Sequence, residues 1–130
     1  MKEENLIIEK SYAFALEIMR VAQLIRDKRE YDLASQLWRA GTSIGANVEE
    51  AQAAQAAQAA QAAQAAQAAQ SRADFRSKMS IAAKEARESH YWLRLTRDGG
   101  LLPDSEVAPL IHDIESIKRI LTSIVKSSGE

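Results

Sequence analysis

A chain of 130 residues without cysteine is one domain's worth of sequence. Disulfides are excluded, and any metal site would have to use histidine or carboxylates, which suits a reducing cytoplasm. Seventeen basic residues against eighteen acidic ones argue against a simple electrostatic binder of nucleic acid of the histone kind. The apolar runs are short and broken by charge, and the first four residues, Met1, Lys2, Glu3 and Glu4, do not form a basic leader, so neither a signal peptide nor a membrane span is expected.

Residues 6 to about 26 place Ile7, Phe14, Ile18, Val21 and Ile25 at helical spacing, with Ile8, Tyr12, Ala15, Met19 and Ala22 beside them. So wide a stripe predicts a first amphipathic helix. Asp27, Lys28, Arg29 and Glu30 form too short a break for anything but a tight connection, so a second helix should return antiparallel, with Asp32 as its cap. Its stripe is Leu33, Leu37, Ala40, Ile44 and Val48, interrupted by Gly41 and Gly45. Each glycine costs up to about 1 kcal/mol against alanine inside a helix, which points to the close approach of another helix or a large side chain against Ala40, Gly41, Gly45 and Ala46. Trp38, one turn earlier, would pack there or in a subunit interface.

A third helix is expected from Ser71, with Asp74 in the capping-box position and Phe75, Met79, Ala82, Ala86 and Leu93 facing inward. It should run to about Arg97, where Gly99 and Gly100 stop it and Pro103 keeps the link extended. Asp104 or Ser105 would cap the fourth helix, whose stripe is Leu110, Ile114, Ile117, Leu121 and Ile124, with Pro109 tolerated in the first turn. Four amphipathic helices on short links imply an all-α fold, an antiparallel up-down four-helix bundle spanning residues 1–130 as one domain.

Residues 51–70 interrupt this plan with pure Ala and Gln, Gln recurring at every third position from Gln52 to Gln70. Both residue types favour helix, and a period of three against 3.6 residues per turn makes the Gln row drift, so no apolar face should persist for burial. The expectation is a solvated helical rod of roughly 30 Å projecting from the bundle; a flexible low-complexity loop is the alternative.

Two stretches, SQLWRAGTSIGANVEEAQ from Ser35 to Gln52 and SRADFRSKMSIAAKEARESHYWLRL from Ser71 to Leu95, resemble the four-helix bundle proteins encoded in bacterial 23S ribosomal RNA intervening sequences. The most specific parts are the run from Ser43 to Glu50, the Asp74-Phe75 pair and the string from Lys84 to Leu93. Twenty-two residues separate Ala51 from Asp74, where members of that family usually have about seven, and the surplus of fifteen equals five Ala-Ala-Gln copies. The repeat therefore reads as an engineered lengthening of a shorter connection. Fifteen residues turn a continuous helix through about 1,500°, four turns and roughly 60°, so the chain must double back beyond the bundle or exchange the extra helix with a neighbouring subunit. The resemblance also implies a homo-oligomer, a pentamer, with a non-enzymatic role. Related bundles serve diversity-generating retroelements as basic oligomers that engage nucleic acid and a reverse transcriptase; this chain is less basic.

Candidate sites follow from the surface chemistry. From Ser71 to Asp98 seven basic residues face four acidic ones, a local excess of three positive charges. Arg76, Lys84, Arg87, Tyr91 and Arg94 fall on nearly one helix face and would suit phosphates and a stacked base; a solvated face in which Lys84 and Arg87 pair with Glu88 is the plain alternative. Asn47, Glu49 and Glu50 would meet Arg87 in a structural polar network. Neither His90 nor His112 has a Glu three residues before it, so the di-iron bundle pattern is missing and no metal, cofactor or catalytic residue is assigned. Tyr91 and Trp92 point about 100° apart, so one of them, together with Trp38, is expected at an oligomer contact.

Overall fold

The computed structural model describes residues 2–60 and 65–129, except for the side chains of residues 58–60 and 65. Among the described residues are four helices: α1 (Lys2–Asp27), α2 (Tyr31–Ala60), α3 (Ala65–Asp98) and α4 (Asp104–Ser128). α1 packs on α2 and α4, and α3 packs on the same two, so among the described residues α1 and α3 occupy diagonal corners of an up-down four-helix bundle.

The stripes anticipated from periodicity are the core. Ile7, Phe14, Ile18, Val21 and Ile25 of α1 meet Leu37, Ile44 and Val48 of α2, Met79, Ala86 and Leu93 of α3, and Leu110, Ile114, Ile117 and Leu121 of α4, all buried. Positions three and four apart share a helix face, so each stripe closes one side of the same apolar interior. The two glycines of α2 set its approach to α1. A Cβ at Gly41 would stand 2.6 Å from Ile18 Cγ1, and one at Gly45 3.4 Å from the Ser11 carbonyl oxygen. Those contacts fix the register, with Gly41 level with Ile18 and Gly45 level with Ser11.

Two helix ends close by the same device. Gly100 takes φ 71, and Leu101 N donates to Thr96 O at 3.1 Å while Gly100 N donates to Arg97 O at 3.1 Å, a left-handed cap of α3. After α1 the same pair of bonds runs from Glu30 N to Ile25 O and from Arg29 N to Arg26 O, with Arg29 at φ 67. Arginine rarely adopts that conformation, so its residue type carried no signal for the cap.

Several boundaries differ from expectation. α3 begins at Ala65, so Ser71 is a buried interior residue and Asp74 closes no capping box; strong Ala and Gln helix propensity carries the helix through the position where a cap would have started it. α2 begins at Tyr31, which puts Asp32 inside its first turn. The N-cap of α4 is Pro103 (φ −62, ψ 151), without a side-chain hydrogen bond, so Asp104 and Ser105 lie within the helix. Pro109 is consequently the sixth residue of α4, beyond the first turn, and its missing N–H withdraws a donor from the Ser105 carbonyl.

The Ala-Gln tract continues α2 on one side and α3 on the other, with residues 61–64 outside the described residues. Close to the bundle the tract does bury a face: Ala51 and Ala68 are buried and Ala54 packs against the core. Two antiparallel helices can bring single alanines together over a turn or two even when no continuous apolar stripe exists.

Candidate functional site

The outer face of α3 carries the row of cations. Arg76, Lys84, Arg87, Tyr91 and Arg94 are all exposed on the side of α3 away from its buried residues, as steps of about 100° per residue require. Two carboxylates of α3, Glu85 and Glu88, do not neutralise them. Glu85 and Glu88 turn toward α2, where Arg39 reaches Glu85 Oε2 at 3.4 Å and makes a short contact with Glu88 Oε1. Glu88 also accepts from Trp92 Nε1 at 3.4 Å. Among the described residues no ion pair ties down Arg76, Lys84, Arg87 or Arg94. Arg94 lies 5.8 Å from the centre of the Tyr91 ring, a cation and an aromatic face side by side.

Where α3 meets α4, His90 joins this field. Lys118 Nζ stands 3.0 Å from His90 Nδ1, and an ammonium can only donate, so Nδ1 accepts and the ring proton sits on Nε2. Burial, then the charges of Lys118, Arg94 and Arg97, hold His90 below the usual histidine value, with Glu115 opposing. At the end of α3, Arg97 Nε donates to Asp98 Oδ1 at 2.8 Å; this bond raises the arginine and lowers the aspartate.

The four residues expected to form a polar network are not gathered. Asn47 Nδ2 donates to its own helix at Ser43 O, 2.9 Å away, while Glu49, Glu50 and Arg87 are exposed and share no hydrogen bond or ion pair among the described residues. Distance along the surface is the reason: Arg87 belongs to the outer face of α3, whereas the side of α3 that meets α2 is held by Glu85, Glu88 and Arg39. That ion pair was not foreseen, although Glu85 and Glu88, three apart on one helix, were its legible half.

A second surface is apolar. On α1, Tyr12, Leu16 and Met19 recur at helical spacing on the side away from the core, and Tyr12 and Leu16 are 60% and 53% exposed. Trp38, 42% exposed, lies on α2 at a groove also lined by Ala22, Gln23 and Arg26, on the stretch of α1 that follows Met19. The aromatic pair on α3 divides as geometry demands. Trp92 packs against the core and Tyr91 stays 47% exposed, their rings edge-on at 5.1 Å. Among the described residues no three His, Cys, Asp or Glu side chains converge as a metal cage requires, and no helix is long and apolar enough to cross a membrane.

Residues 3–123, nearly the whole bundle, match the family model of the 23S rRNA-intervening sequence proteins. The chain belongs to that family. Among solved structures it is similar to a protein of unknown function from the S23 ribosomal protein family of Bacteroides thetaiotaomicron, at 34% identity and a TM-score of 0.78, over 95% of this chain and 98% of that one. No curated protein matches the sequence. The agreement covers the four-helix bundle that this family member shares with its Bacteroides relative.

Proposed function

We propose that this family member is a non-catalytic, homo-oligomeric bundle, a scaffold that self-associates through the outer face of α1 and the adjoining Trp38. The observation that carries the reading is the strip Tyr12, Leu16 and Met19, large apolar side chains left in water on the side of α1 opposite the core. Burying such side chains against a second copy would contribute about 25 cal/mol per Å² of apolar area removed from water, and exposed strips of this kind mark association sites. The family resemblance favours the same reading, with a pentamer as the assembly, and the length of the Ala-Gln tract reads as an addition to the bundle rather than part of this surface. Light scattering tests it: the parent chain should run as an oligomer, and L16E with M19E should lower the mass while leaving the helical circular dichroism intact. A parent that is monomeric at all concentrations would end the proposal.

The second reading is a nucleic-acid accessory protein, favoured by the cations of α3 that lack carboxylate partners. Lys and Arg contacts to phosphate release counterions, so binding to RNA or DNA would weaken steeply with salt. The variant K84E/R87E/R94E should then lose most of its affinity for a labelled RNA in fluorescence anisotropy. Equal binding by parent and variant would remove α3 as the interface.

A further inference from the structure

Where α1 starts and α4 finishes, a cavity of about 240 Å³ is lined by residues of all four helices, among them Glu4, Gln55, Arg72, Phe75 and Ile124. Glu4 is only 4% exposed, and its Oε1 is buried without a hydrogen-bond donor to meet it. A carboxylate removed from water and left without a donor is costly. Its neighbours do not relieve it. Glu3 adds a second carboxylate at the cavity, where it accepts from Ser123 Oγ at 3.3 Å, and Arg72, exposed at the rim, makes no ion pair with Glu4 among the described residues. The last turn of α4 supplies Ser127 and Ser128 to the same wall, and a helix C-terminus is the negative pole of its dipole. Phe75 and Ile124, both nearly buried, form an apolar wall.

We propose that this cavity binds a small alkylammonium, the ammonium on Glu4 and its carbon chain along Phe75 and Ile124. The local charge selects a cation over an anion, since two carboxylates outweigh one arginine at the rim, while the N-terminal pole of α1, on whose first turn Glu3 and Glu4 lie, offsets the C-terminal pole of α4. The donor set selects an organic cation over a metal, because no three metal-ligating side chains converge among the described residues. The apolar wall calls for a carbon chain behind the charge. Gln52 Nε2, also buried without a partner, lies near the level of Glu4 by the register of Ser11 with Gly45. A water between Glu4 and Gln52 is the competing account, in which the two residues satisfy each other and no ligand is taken.

Titration of butylammonium into the full chain, followed on the Ile124 methyl group by NMR, separates the two. Saturable shifts at Ile124 and the Phe75 ring are expected with butylammonium but not with 1-butanol, which has the chain without the charge. Glu4→Gln should weaken binding about tenfold or more, the effect of losing one charged hydrogen bond, and Glu4→Asp should fall between. The proposal is overturned if butylammonium produces no saturable shift, if 1-butanol shifts the same signals equally, or if Glu4→Gln binds as tightly as the parent.

Discussion

Gly41 and Gly45 lie one helical turn apart on α2 and face different obstacles. At Gly41 a Cβ would overlap Ile18, a fully buried side chain with no room to retreat, at 2.6 Å; at Gly45 it would touch the Ser11 carbonyl oxygen at an ordinary 3.4 Å. Overpacking costs about 1–3 kcal/mol, more than the up to about 1 kcal/mol that alanine gains over glycine in a helix. Gly41→Ala should therefore lower the urea midpoint, and Gly45→Ala should leave it unchanged or raise it. His90 carries a pH dependence. Its folded value is depressed below 6.5, so between the folded and unfolded values the unfolded chain binds more protons. The stability tied to His90 is complete above the unfolded value and is lost as pH falls through the folded one. Comparing His90→Gln with the parent between about pH 7.5 and about pH 5 should show a smaller fall in thermal midpoint for the variant. Lys118, within 3.0 Å of the ring, has no trace in local sequence; it stands 28 positions further along the chain.

At the scale of elements, period decided nearly everything inside the helices and little at their ends. Leu110, Ile114, Ile117, Leu121 and Ile124 are buried where the stripe put them, because side chains three and four apart share a face whatever lies beyond. The start of α3 was misplaced, since a strong helix former upstream of Ser71 overrides a capping signal that is worth only about 1 kcal/mol. The same propensity makes the tract separable from the core. A variant lacking residues 53–67, five triplets, keeps the fully buried Ala51 and gives up only the partial packing of Ala54 against the core. Shared between two antiparallel arms, the deletion shortens each by about 11 Å. Its unfolding free energy in urea should stay within about 1 kcal/mol of the parent, while ellipticity falls in proportion to the residues removed. A collapse of the midpoint would show that the outer triplets hold α2 and α3 together.

For the whole molecule, the diagonal placement of α1 and α3 matters most. The apolar strip with Tyr12, Leu16 and Met19 and the cationic row with Arg76, Arg87 and Arg94 lie on helices that never meet, so self-association through one leaves the other open. Folding linked to association makes the thermal midpoint depend on concentration. The parent should show that dependence in calorimetry, and L16E with M19E should lose it along with its mass. The recognisable runs from Ser35 to Gln52 and from Ser71 to Leu95 made the family legible. The candidate surfaces were only half legible: the α3 row was, and the α1 strip was not, because Tyr12 and Met19 read as part of a wide inward stripe.

The sequence by itself determined four helices, their buried faces and their single apolar interior, since periodicity is a local property that survives without knowledge of neighbours. Only the tertiary structure decided which flanking side chains were covered and which charges were paired. Arg39 draws Glu85 and Glu88 toward α2, leaving the outer cations of α3 unneutralised, and the diagonal arrangement leaves Leu16 in water. Both outcomes depend on which helices stand side by side, and that adjacency is set by packing across the bundle.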